Sequence, residues 1–485
     1  MPQSPPDIHI FPYEKCARNH IFPKEKCDFS CTIHKETLPL HFTYKHSILM
    51  ERLLMGKLRQ WKTAGRRLPL ILQGTRQVGK TWLLQEFGRQ EFDNVCYVNF
   101  EQMPSLRTIF DGDLTPQRII DRLSLLTGAE IHEHSTLIIF DEVQEVPRAL
   151  TSLKYFAEQA PGFAICCAGS LLGVALHRGT SYPVGKVDFL RLEPMTFNEF
   201  LTATGHEREA QYLSQGNTDV NGLQERLIEL LKTYLLVGGM PAAVQQWINT
   251  SRHASVRQEH ERIITSYEND FSKHSDNDPS LGNKCRLIWR SLPAQLAREN
   301  KKFIYGKVRE GSRAREYENA LLWLHDAGMI RMVYNITKPD VPLRTYCNLD
   351  IFKCYIVDVG LLATLSGLAP AALIDDINIF EEFKGAIAEQ FVLQQLSAID
   401  GLEACYYWTG TTSEVDFVLT DGQRAIPIEV KSGTNLRAKS MATYIKRYEP
   451  PLALRLSLND PKTNGVLHDL PLYAISALPA LLSKQ

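Results

Sequence analysis

The sequence of 485 residues lacks three features: a long uninterrupted apolar run, a surplus of charge of either sign, and a dense set of cysteines. The longest apolar region, residues 355–374, is broken by Asp358, Ser366 and Pro370, so it is not expected to span a bilayer. The formal net charge of −1 excludes a global field toward nucleic acid or membrane, and such binding would need a local patch. The ten cysteines are scattered, and the first residues lack the apolar core of a signal peptide. These absences predict a cytoplasmic protein with reduced thiols and no membrane partner.

The composition that is present is that of a globular protein, with 44% hydrophobic and 22% charged residues. The length predicts two to four domains. Residues 1–45 stand apart as an extension of unknown structure, rich in Pro, His and Cys and without a steady period. Residue types that bind zinc occur there at irregular spacing, so a zinc site and a loosely ordered extension both stay open. The zinc-binding types are Cys16, His20, Cys27, Cys31 and His34.

Residues 70–84 read LILQGTRQVGKTWLL and contain the pattern G-x-x-x-x-G-K-[ST] of a phosphate-binding loop. Glycines let the backbone wrap closely around a phosphate, and the helix that should begin near Lys80 adds the positive end of its dipole. Lys80 is expected to reach the β- and γ-phosphates in catalysis, and the Thr81 hydroxyl to ligate Mg²⁺. The pattern therefore predicts ATP and Mg²⁺ as cofactors. The expected nucleotide-binding residues of the loop are Gly74, Thr75, Arg76, Gln77, Val78, Gly79, Lys80 and Thr81.

An apolar strand ending in two acids, LIIFDE at residues 137–142, follows about sixty residues after this loop. Asp141 is expected to hold Mg²⁺ beside Thr81, and Glu142 to polarise the attacking water as general base. Acids that only cap the next helix are the alternative. After a further strand pattern, Ser170 is a candidate for contacting the γ-phosphate, and a simple turn there stays open.

Alternating strands and helices predict a parallel sheet with the loop at the strand ends, where ligands bind. From residue 190 onward the pattern changes. The apolar periodicity of residues 223–236 and 254–271 indicates helices, interrupted by the sequence GGMP at residues 238–241. We interpret this region as a helical lid against the nucleotide.

Helical patterns over residues 288–296 and 315–327 precede strand patterns over 329–334 and 343–347. Helices followed by a β-hairpin predict a winged-helix-like segment. A basic cluster between the two helices is a candidate for contacting DNA or RNA phosphates, and a solvated face is the alternative. The cluster consists of Lys301, Lys302, Lys307, Arg309, Arg313 and Arg315.

The C-terminal region carries a second acidic constellation on a helix and two strands. A helix pattern over residues 383–396 contains Glu389, and the strands EVDFVL and IPIEVK contain Asp416, Glu429 and Lys431. The set is typical of the catalytic site of a metal-dependent phosphodiester hydrolase, with Asp416 and Glu429 holding Mg²⁺ or Mn²⁺ and Lys431 orienting water. Because Lys431 cannot neutralise three carboxylates, a bound cation is expected. A surface hairpin with an ion pair is the alternative.

Residues 46–485 resemble, in order, the prokaryotic AAA-type ATPases that carry a C-terminal DUF4143 domain. The resemblance is carried by QGTRQVGKTWLL, LIIFDEVQEVPRALTSLKYF, CCAGSLLGVAL, LLVGGMPAAV, FKCYIVDVGLL, KGAIAEQFVLQQL, EVDFVL and IPIEVKSG. It implies an α/β fold with a P-loop ATPase core at residues 46–200, a helical lid at 201–278, a winged-helix-like segment at 279–372 and a restriction-endonuclease-like PD-(D/E)xK domain at 373–485. It also implies that the loop, Asp141, Glu142 and Ser170 form the nucleotide site, and that Glu389, Asp416, Glu429 and Lys431 form the nuclease-like site.

Two positions depart from the pattern of these relatives. Thr75 stands where they usually have Pro, which should be harmless because the loop acts there through its backbone. Lys186 stands where many carry an Arg in a Gly-Arg pair, so the arginine finger is unassigned, with Arg178 and Arg191 as alternatives nearby.

Two functions of different classes fit these observations. The first is an ATPase coupled to nucleic-acid binding or processing. The second is a slow nucleotide-dependent switch or scaffold whose C-terminal domain is a docking module without nuclease activity. The unassigned arginine finger favours the second, and the complete acidic set at the C-terminus favours the first. A protein-remodelling ATPase has no supporting feature such as an aromatic pore loop. The sequence leaves a homo-oligomer open.

Overall fold

The structure is a computed structural model, and it describes residues 52–169, 185–218, 220, 222–273, 279–370, 381–402, 406–432 and 439–483. Every described residue belongs to the compact unit Leu49–Gln485. The candidate zinc-binding residues between Cys16 and His34 lie outside the described residues.

A five-stranded parallel sheet forms the first part of the described chain, with the strand order β2-β3-β4-β1-β5. The strands are β1 (Leu70–Gln73), β2 (Asn94–Asn99), β3 (Thr136–Asp141), β4 (Ala164–Ala168) and β5 (Asp188–Arg191). Ile71 packs into the core on one face, and its neighbours Leu70 and Leu72 pack into the core on the other. This two-sided burial explains the continuous apolar runs of the sequence. The predicted parallel sheet is confirmed.

Helices cover the sheet, and two of them begin at a proline. They are α1 (Leu54–Thr63), α2 (Lys80–Glu91), α3 (Pro116–Thr127) and α4 (Pro147–Gln159). Pro116 and Pro147 occupy first-turn positions, where the missing N–H costs nothing. Because β1 is joined directly to α2, the phosphate-loop sequence lies at the carboxyl edge of the sheet.

A group of helices follows the sheet, in the region interpreted from the sequence as a helical lid. It comprises α5 (Phe197–Ala203), α6 (Glu207–Ser214), α7 (Gln224–Val237), α8 (Pro241–Thr250) and α9 (His253–Lys273). The break between α7 and α8 is enforced by Gly238, whose φ is +68°, and by Pro241 at the first turn of α8. A Cβ on Gly239 would lie 2.1 Å from the Met195 carbonyl oxygen, so the chain crosses here too closely for any side chain.

The second sheet has eight strands in the order β12-β13-β11-β10-β9-β8-β6-β7. Its strands are β6 (Ile330–Ile336), β7 (Cys347–Ile356), β8 (Tyr406–Thr409), β9 (Glu414–Thr420), β10 (Ala425–Val430), β11 (Ala453–Ser457), β12 (Lys462–Asn464) and β13 (Leu467–Pro471). The antiparallel pair β6–β7 joins the C-terminal strands through parallel pairing of β6 with β8. The sheet therefore continues across the expected boundary between residues 372 and 373.

Helices pack around this sheet. One of them carries Glu389, and the neighbouring strands β9 and β10 carry Asp416 and Glu429. The helices are α10 (Leu281–Leu296), α11 (Ala314–Asp326), α12 (Val359–Leu365), α13 (Glu381–Ser397), α14 (Lys439–Tyr448) and α15 (Leu478–Leu482). The prediction of a strand at residues 343–347 is wrong. Leu343–Tyr346 form a 3₁₀ turn after Pro342, and the strand runs from Cys347 to Ile356. The helices of the described residues include none long and apolar enough to cross a membrane.

Candidate functional site

The phosphate-loop residues connect β1 to α2, and the backbone of this loop has positive φ angles that favour glycine at two positions. Gly74 has a φ of +146°, and Gly79, which precedes the first residue of α2, has a φ of +97°. A Cβ on Gly74 would lie 2.4 Å from the Leu192 carbonyl oxygen. The loop also holds Gln77 at a φ of +64°, a conformation that costs free energy outside glycine and is often found at functional sites.

Lys80 is folded back onto the loop in this structure. Its Nζ donates hydrogen bonds to the carbonyl oxygens of Gly74 and Thr75, at 2.8 and 2.9 Å. Burial lowers the pKa of Lys80 to about 8, against the opposing pull of Glu142 and Asp141. The ammonium is therefore held inside the loop by weak carbonyl partners, which a phosphate oxygen can replace.

Thr81 and Asp141 meet as the sequence predicted, although they lie on different elements. The Thr81 hydroxyl donates to Asp141 Oδ2 at 2.9 Å. Two residues that the sequence reasoning missed contact the same oxygen: the Tyr97 hydroxyl at 2.8 Å and Asn99 Nδ2 at 3.4 Å. Both come from β2, in which Asn99 pairs directly with Asp141. A hydroxyl and a carboxylate converging at the end of buried strands fit the protein side of a Mg²⁺ site.

Glu142 follows Asp141 in the left-handed conformation, with φ +49° and ψ +45°. Gln144 donates a hydrogen bond to Glu142 Oε2 at 2.6 Å. The sequence reasoning did not single out Gln144, although it lies only two positions after the predicted base. Its amide holds the Glu142 carboxylate in one orientation at the edge of the sheet.

The remaining candidates near the nucleotide site have defined partners or lie outside the description. Ser170 and Arg178 fall among residues that are not described. Lys186 pairs with Glu158 at 2.8 Å, and Arg191 pairs with Glu193 at 3.1 Å. Both side chains are therefore ion-paired in this structure, and the arginine finger stays unassigned.

Two neighbouring parts of the chain hold the loop from outside. Arg52 donates to the Val78 carbonyl oxygen at 2.9 Å and pairs with Glu199 at 3.0 Å, and both charged side chains are buried. From α9, the Tyr267 hydroxyl donates to the Arg76 carbonyl oxygen at 2.8 Å. The loop is thus fixed both by the segment before α1 and by the helical region.

The acidic residues of the C-terminal region come together around a cavity of 920 Å³. Lys431 pairs with Glu429 at 2.8 Å, and the Val430 N–H donates to Asp416 Oδ2 at 2.8 Å. Glu389 of α13 lines the same cavity. The structure thus brings together all four residues that the sequence selected for this site.

Two lysines that the sequence analysis did not assign to this site lie among its acids. Lys353 of β7 is fully buried, and its Nζ lies 2.6 Å from Glu414 Oε1, 3.6 Å from Glu389 Oε2 and 3.9 Å from Asp416 Oδ1. Lys301 forms an ion pair with Glu389 Oε1. These ammonium groups supply positive charge that the sequence analysis expected from a bound cation.

The environment of the cluster shifts the pKa values of two of its acids, Glu389 and Asp416, in opposite directions. Burial would raise the pKa of Glu389, but Lys301 and Lys353 outweigh it and lower that pKa to about 2. Burial, together with the charge of Glu389, raises the pKa of Asp416 to about 7. Glu429 Oε2 is buried and has no hydrogen-bond partner among the described residues.

Glu389 is poorly placed to bind a metal ion. Both oxygens of Glu389 already have partners, since the Tyr355 hydroxyl donates to Oε2 at 2.7 Å. The described residues contain no group of three or more His, Cys, Asp or Glu side chains placed to bind a metal ion. The Mg²⁺ or Mn²⁺ site at Asp416 and Glu429 stays a prediction.

The basic cluster of residues 301–315 divides into two parts. Lys301 is mostly buried against Glu389, so it cannot serve an external surface, and the half-buried Lys302 lines the same acidic cavity. The other part is an exposed group that we call the basic arc, formed by Lys307, Arg309, Arg313 and Arg315.

Comparison with known protein families gives three matches along the chain. Residues 66–201 match the model of an AAA domain, residues 228–372 a domain of unknown function (DUF8612), and residues 384–475 a domain of unknown function (DUF4143). Comparison with curated proteins finds no match. Residues 66–201 thus match an AAA domain and residues 384–475 a DUF4143 domain, in agreement with this much of the predicted organisation.

Solved structures with detectable likeness share little sequence with this chain. The Walker-type ATPase PABY2304 of Pyrococcus abyssi is 14% identical with a TM-score of 0.41, covering 65% of this chain and 96% of that one. The ORC2 protein of Aeropyrum pernix is 13% identical with a TM-score of 0.36, covering 71% and 96%. The ORC1 protein of the same organism, solved with DNA, is 14% identical with a TM-score of 0.28, covering 65% and 90%. These TM-scores do not define a common arrangement of the whole chain.

Proposed function

We propose that this protein is a Mg²⁺-dependent ATPase of the AAA type whose nucleotide turnover is coupled to nucleic-acid binding. The observation that carries the proposal is the convergence of Lys80, Thr81, Asp141 and Glu142 at the carboxyl edge of the parallel sheet. The hydrogen bond of 2.9 Å between Thr81 and Asp141 joins two motifs that are distant in sequence. Such edges are where open α/β sheets bind ligands.

In the proposed reaction, the oxygen of a water molecule bonds to the γ-phosphorus of ATP while the bond from that phosphorus to the β–γ bridging oxygen breaks. Glu142 accepts the proton that the water loses, and ADP and phosphate are released. The Lys80 ammonium exchanges its carbonyl partners for phosphate oxygens. Mg²⁺ held by Thr81 and Asp141 would offset the charge of the β- and γ-phosphates.

The test separates binding from turnover. Lys80→Ala should lose ATP binding, because the phosphates lose their ammonium partner, whereas Glu142→Gln should bind ATP and lose turnover, because only the base is removed. Calorimetry measures the binding, and phosphate release measures the turnover. Lys446→Ala, at an exposed position on α14, is the matched control. Hydrolysis at the wild-type rate in both site variants would contradict the assignment.

The basic arc supports the nucleic-acid part of the proposal, because its four side chains are exposed on one short segment. Each phosphate contact to duplex DNA should contribute about −0.9 to the slope of log affinity against log salt. Replacing Arg309 and Arg313 with Gln should flatten that slope, whereas Lys446→Gln together with Lys462→Gln should not. Binding that does not depend on salt would remove the arc from the proposal.

The second candidate function is a slow switch whose C-terminal domain docks partners and cleaves nothing. Lys353 favours it, because an ammonium already lies among the acids where the nuclease interpretation expects a metal. Nuclease activity would appear as Mn²⁺-dependent nicking that disappears in Asp416→Ala and Lys431→Ala. Absence of nicking in a protein that hydrolyses ATP would favour the switch.

A further inference from the structure

Arg76 is the second of the four variable residues in the phosphate loop, and its side chain leaves the loop toward the helical region. Its Nη1 pairs with both carboxylate oxygens of Asp270 on α9, at 2.5 and 2.6 Å. The Asp270 side chain is 2% exposed, whereas that of Arg76 is 32% exposed. The Asp270 carboxylate on α9 is therefore buried, whereas the Arg76 guanidinium on the loop is partly accessible to solvent.

The guanidinium of Arg76 also interacts electrostatically with charged residues of the nucleotide site. Burial would lower its pKa, but Asp270, Glu142 and Glu101 outweigh this and raise it. In turn, the charge of Arg76 is among those that lower the pKa of Lys80. The Arg76 side chain is thus electrostatically coupled both to the proposed general base and to the lysine that binds phosphate.

Two other described arginines near the loop have partners of their own. Arg52 is buried between Glu199 and the loop carbonyl of Val78. Arg191 pairs with Glu193 at the end of β5. Arg76 instead lines an open cavity of 620 Å³ beside α9, together with Asp270. A phosphate can take the place of the Asp270 carboxylate, because both anions accept the same paired hydrogen bonds from a guanidinium.

We propose that Arg76 contacts the γ-phosphoryl group of bound ATP from within the same chain, and that Asp270 holds its guanidinium aside when no nucleotide is bound. The proposal rests on the proposed ATPase function and supplies the cation that the sequence left unassigned. As the water oxygen bonds to the γ-phosphorus and the bond to the bridging oxygen breaks, negative charge develops on the transferred group. A guanidinium at that group stabilises this charge.

The test uses nucleotide preference, which does not require hydrolysis. Calorimetry compares the affinities of ADP and of a non-hydrolysable ATP analogue in the full-length chain. The wild-type protein should prefer the analogue. Arg76→Met combined with Asp270→Asn, which leaves no unpaired buried charge, should lose about tenfold or more of that preference while ADP affinity stays within about threefold. Arg290→Ala, which removes an exposed arginine paired with Glu268 on α9, should keep the preference.

Turnover provides the second measurement. Arg76→Lys keeps the charge but loses the forked geometry, and it should lower kcat by about tenfold or more with little change in ADP affinity. Mixing an Arg76 variant with Glu142→Gln protein should not restore turnover, because each site uses its own arginine. An unchanged preference in the Arg76 variants, or restored turnover on mixing, would overturn the proposal. Lys80→Ala separates this outcome from failure of the nucleotide site, because that variant loses ADP and ATP alike.

Discussion

Lys353 of β7 is fully buried, and its ammonium group faces the carboxylates of Glu389, Glu414 and Asp416. Local patterns show which residues share a strand, but the partners of Lys353 are on α13 and β9, far along the chain. The phosphate loop, by contrast, was predictable because its chemistry is confined to consecutive residues. Asp141 and Glu142 were predictable for the same reason. Tyr97 and Lys301 were missed because strand pairing and loop packing bring them to their sites.

The titration of Asp416 predicts how stability depends on pH. Its pKa in the folded protein is about 7, above the ordinary 3.8, so between these values the folded chain binds a proton that the unfolded chain has released. Stability should therefore fall as the pH rises from about 4 to 7. Asp416→Asn should flatten this decline, as measured by urea unfolding at several pH values. Asp93→Asn, at an exposed aspartate before β2, should leave the decline intact.

Tyr97 predicts a contribution to the nucleotide site that activity alone would not reveal. Its hydroxyl donates to the same Asp141 oxygen that accepts from Thr81. Tyr97→Phe should lower the free energy of unfolding by about 1–2 kcal/mol, because the carboxylate loses a donor. It should also raise the Mg²⁺ concentration needed for half-maximal ATP binding. Tyr155→Phe on α4 is the matched control, and equal effects of the two substitutions would contradict this role.

At the scale of elements, the sequence predicted the existence of helices and strands better than their ends. The helices expected at residues 223–236 and 254–271 appear as α7 and α9, within one or two residues. The strand expected at residues 343–347 instead begins at Cys347, because the short segment after Pro342 closes a 3₁₀ turn. The apolar residues up to Ile356 extend that strand by pairing with β6. Such pairing is not visible in a local pattern.

Between α7 and α8 the backbone is packed so closely that even a substitution of Gly239 by alanine should destabilise the protein strongly. A methyl group at Gly239 would lie 2.1 Å from the Met195 carbonyl oxygen, so Gly239→Ala must displace the backbone. We expect a loss of more than about 3 kcal/mol in the free energy of unfolding. Gly56→Ala in α1, where a Cβ meets nothing within 4 Å, should instead stabilise by up to about 1 kcal/mol. Thermal and urea unfolding measure both, and similar effects would contradict the steric account.

At the scale of the whole described chain, family boundaries and structural boundaries differ. The matched regions end and begin at residues 372 and 384, and the sequence analysis divided the chain between 372 and 373. The eight-stranded sheet nevertheless runs across this point, since Tyr334 to Ile336 of β6 pair with Tyr406 to Trp408 of β8. Parallel pairing between strands separated by a long connection leaves no local signal in sequence. The folded unit is therefore larger than either matched region.

Because β6 and β8 pair within one continuous sheet, we predict that the two strands unfold locally as one cooperative unit. Asn335 of β6 donates to the Thr409 hydroxyl at 3.0 Å, so Asn335→Ala removes a partly buried contact between the two strands. Native-state hydrogen exchange should then show lower protection in β8 as well as in β6, although no residue of β8 is changed. Asn94→Ala removes a comparable contact from the exposed end of β2 and should leave both strands unaffected. If Asn335→Ala lowers protection in β6 and β7 alone, the pair opens as a separate unit, and the sequence-based boundary describes the folding of this chain better than the sheet does.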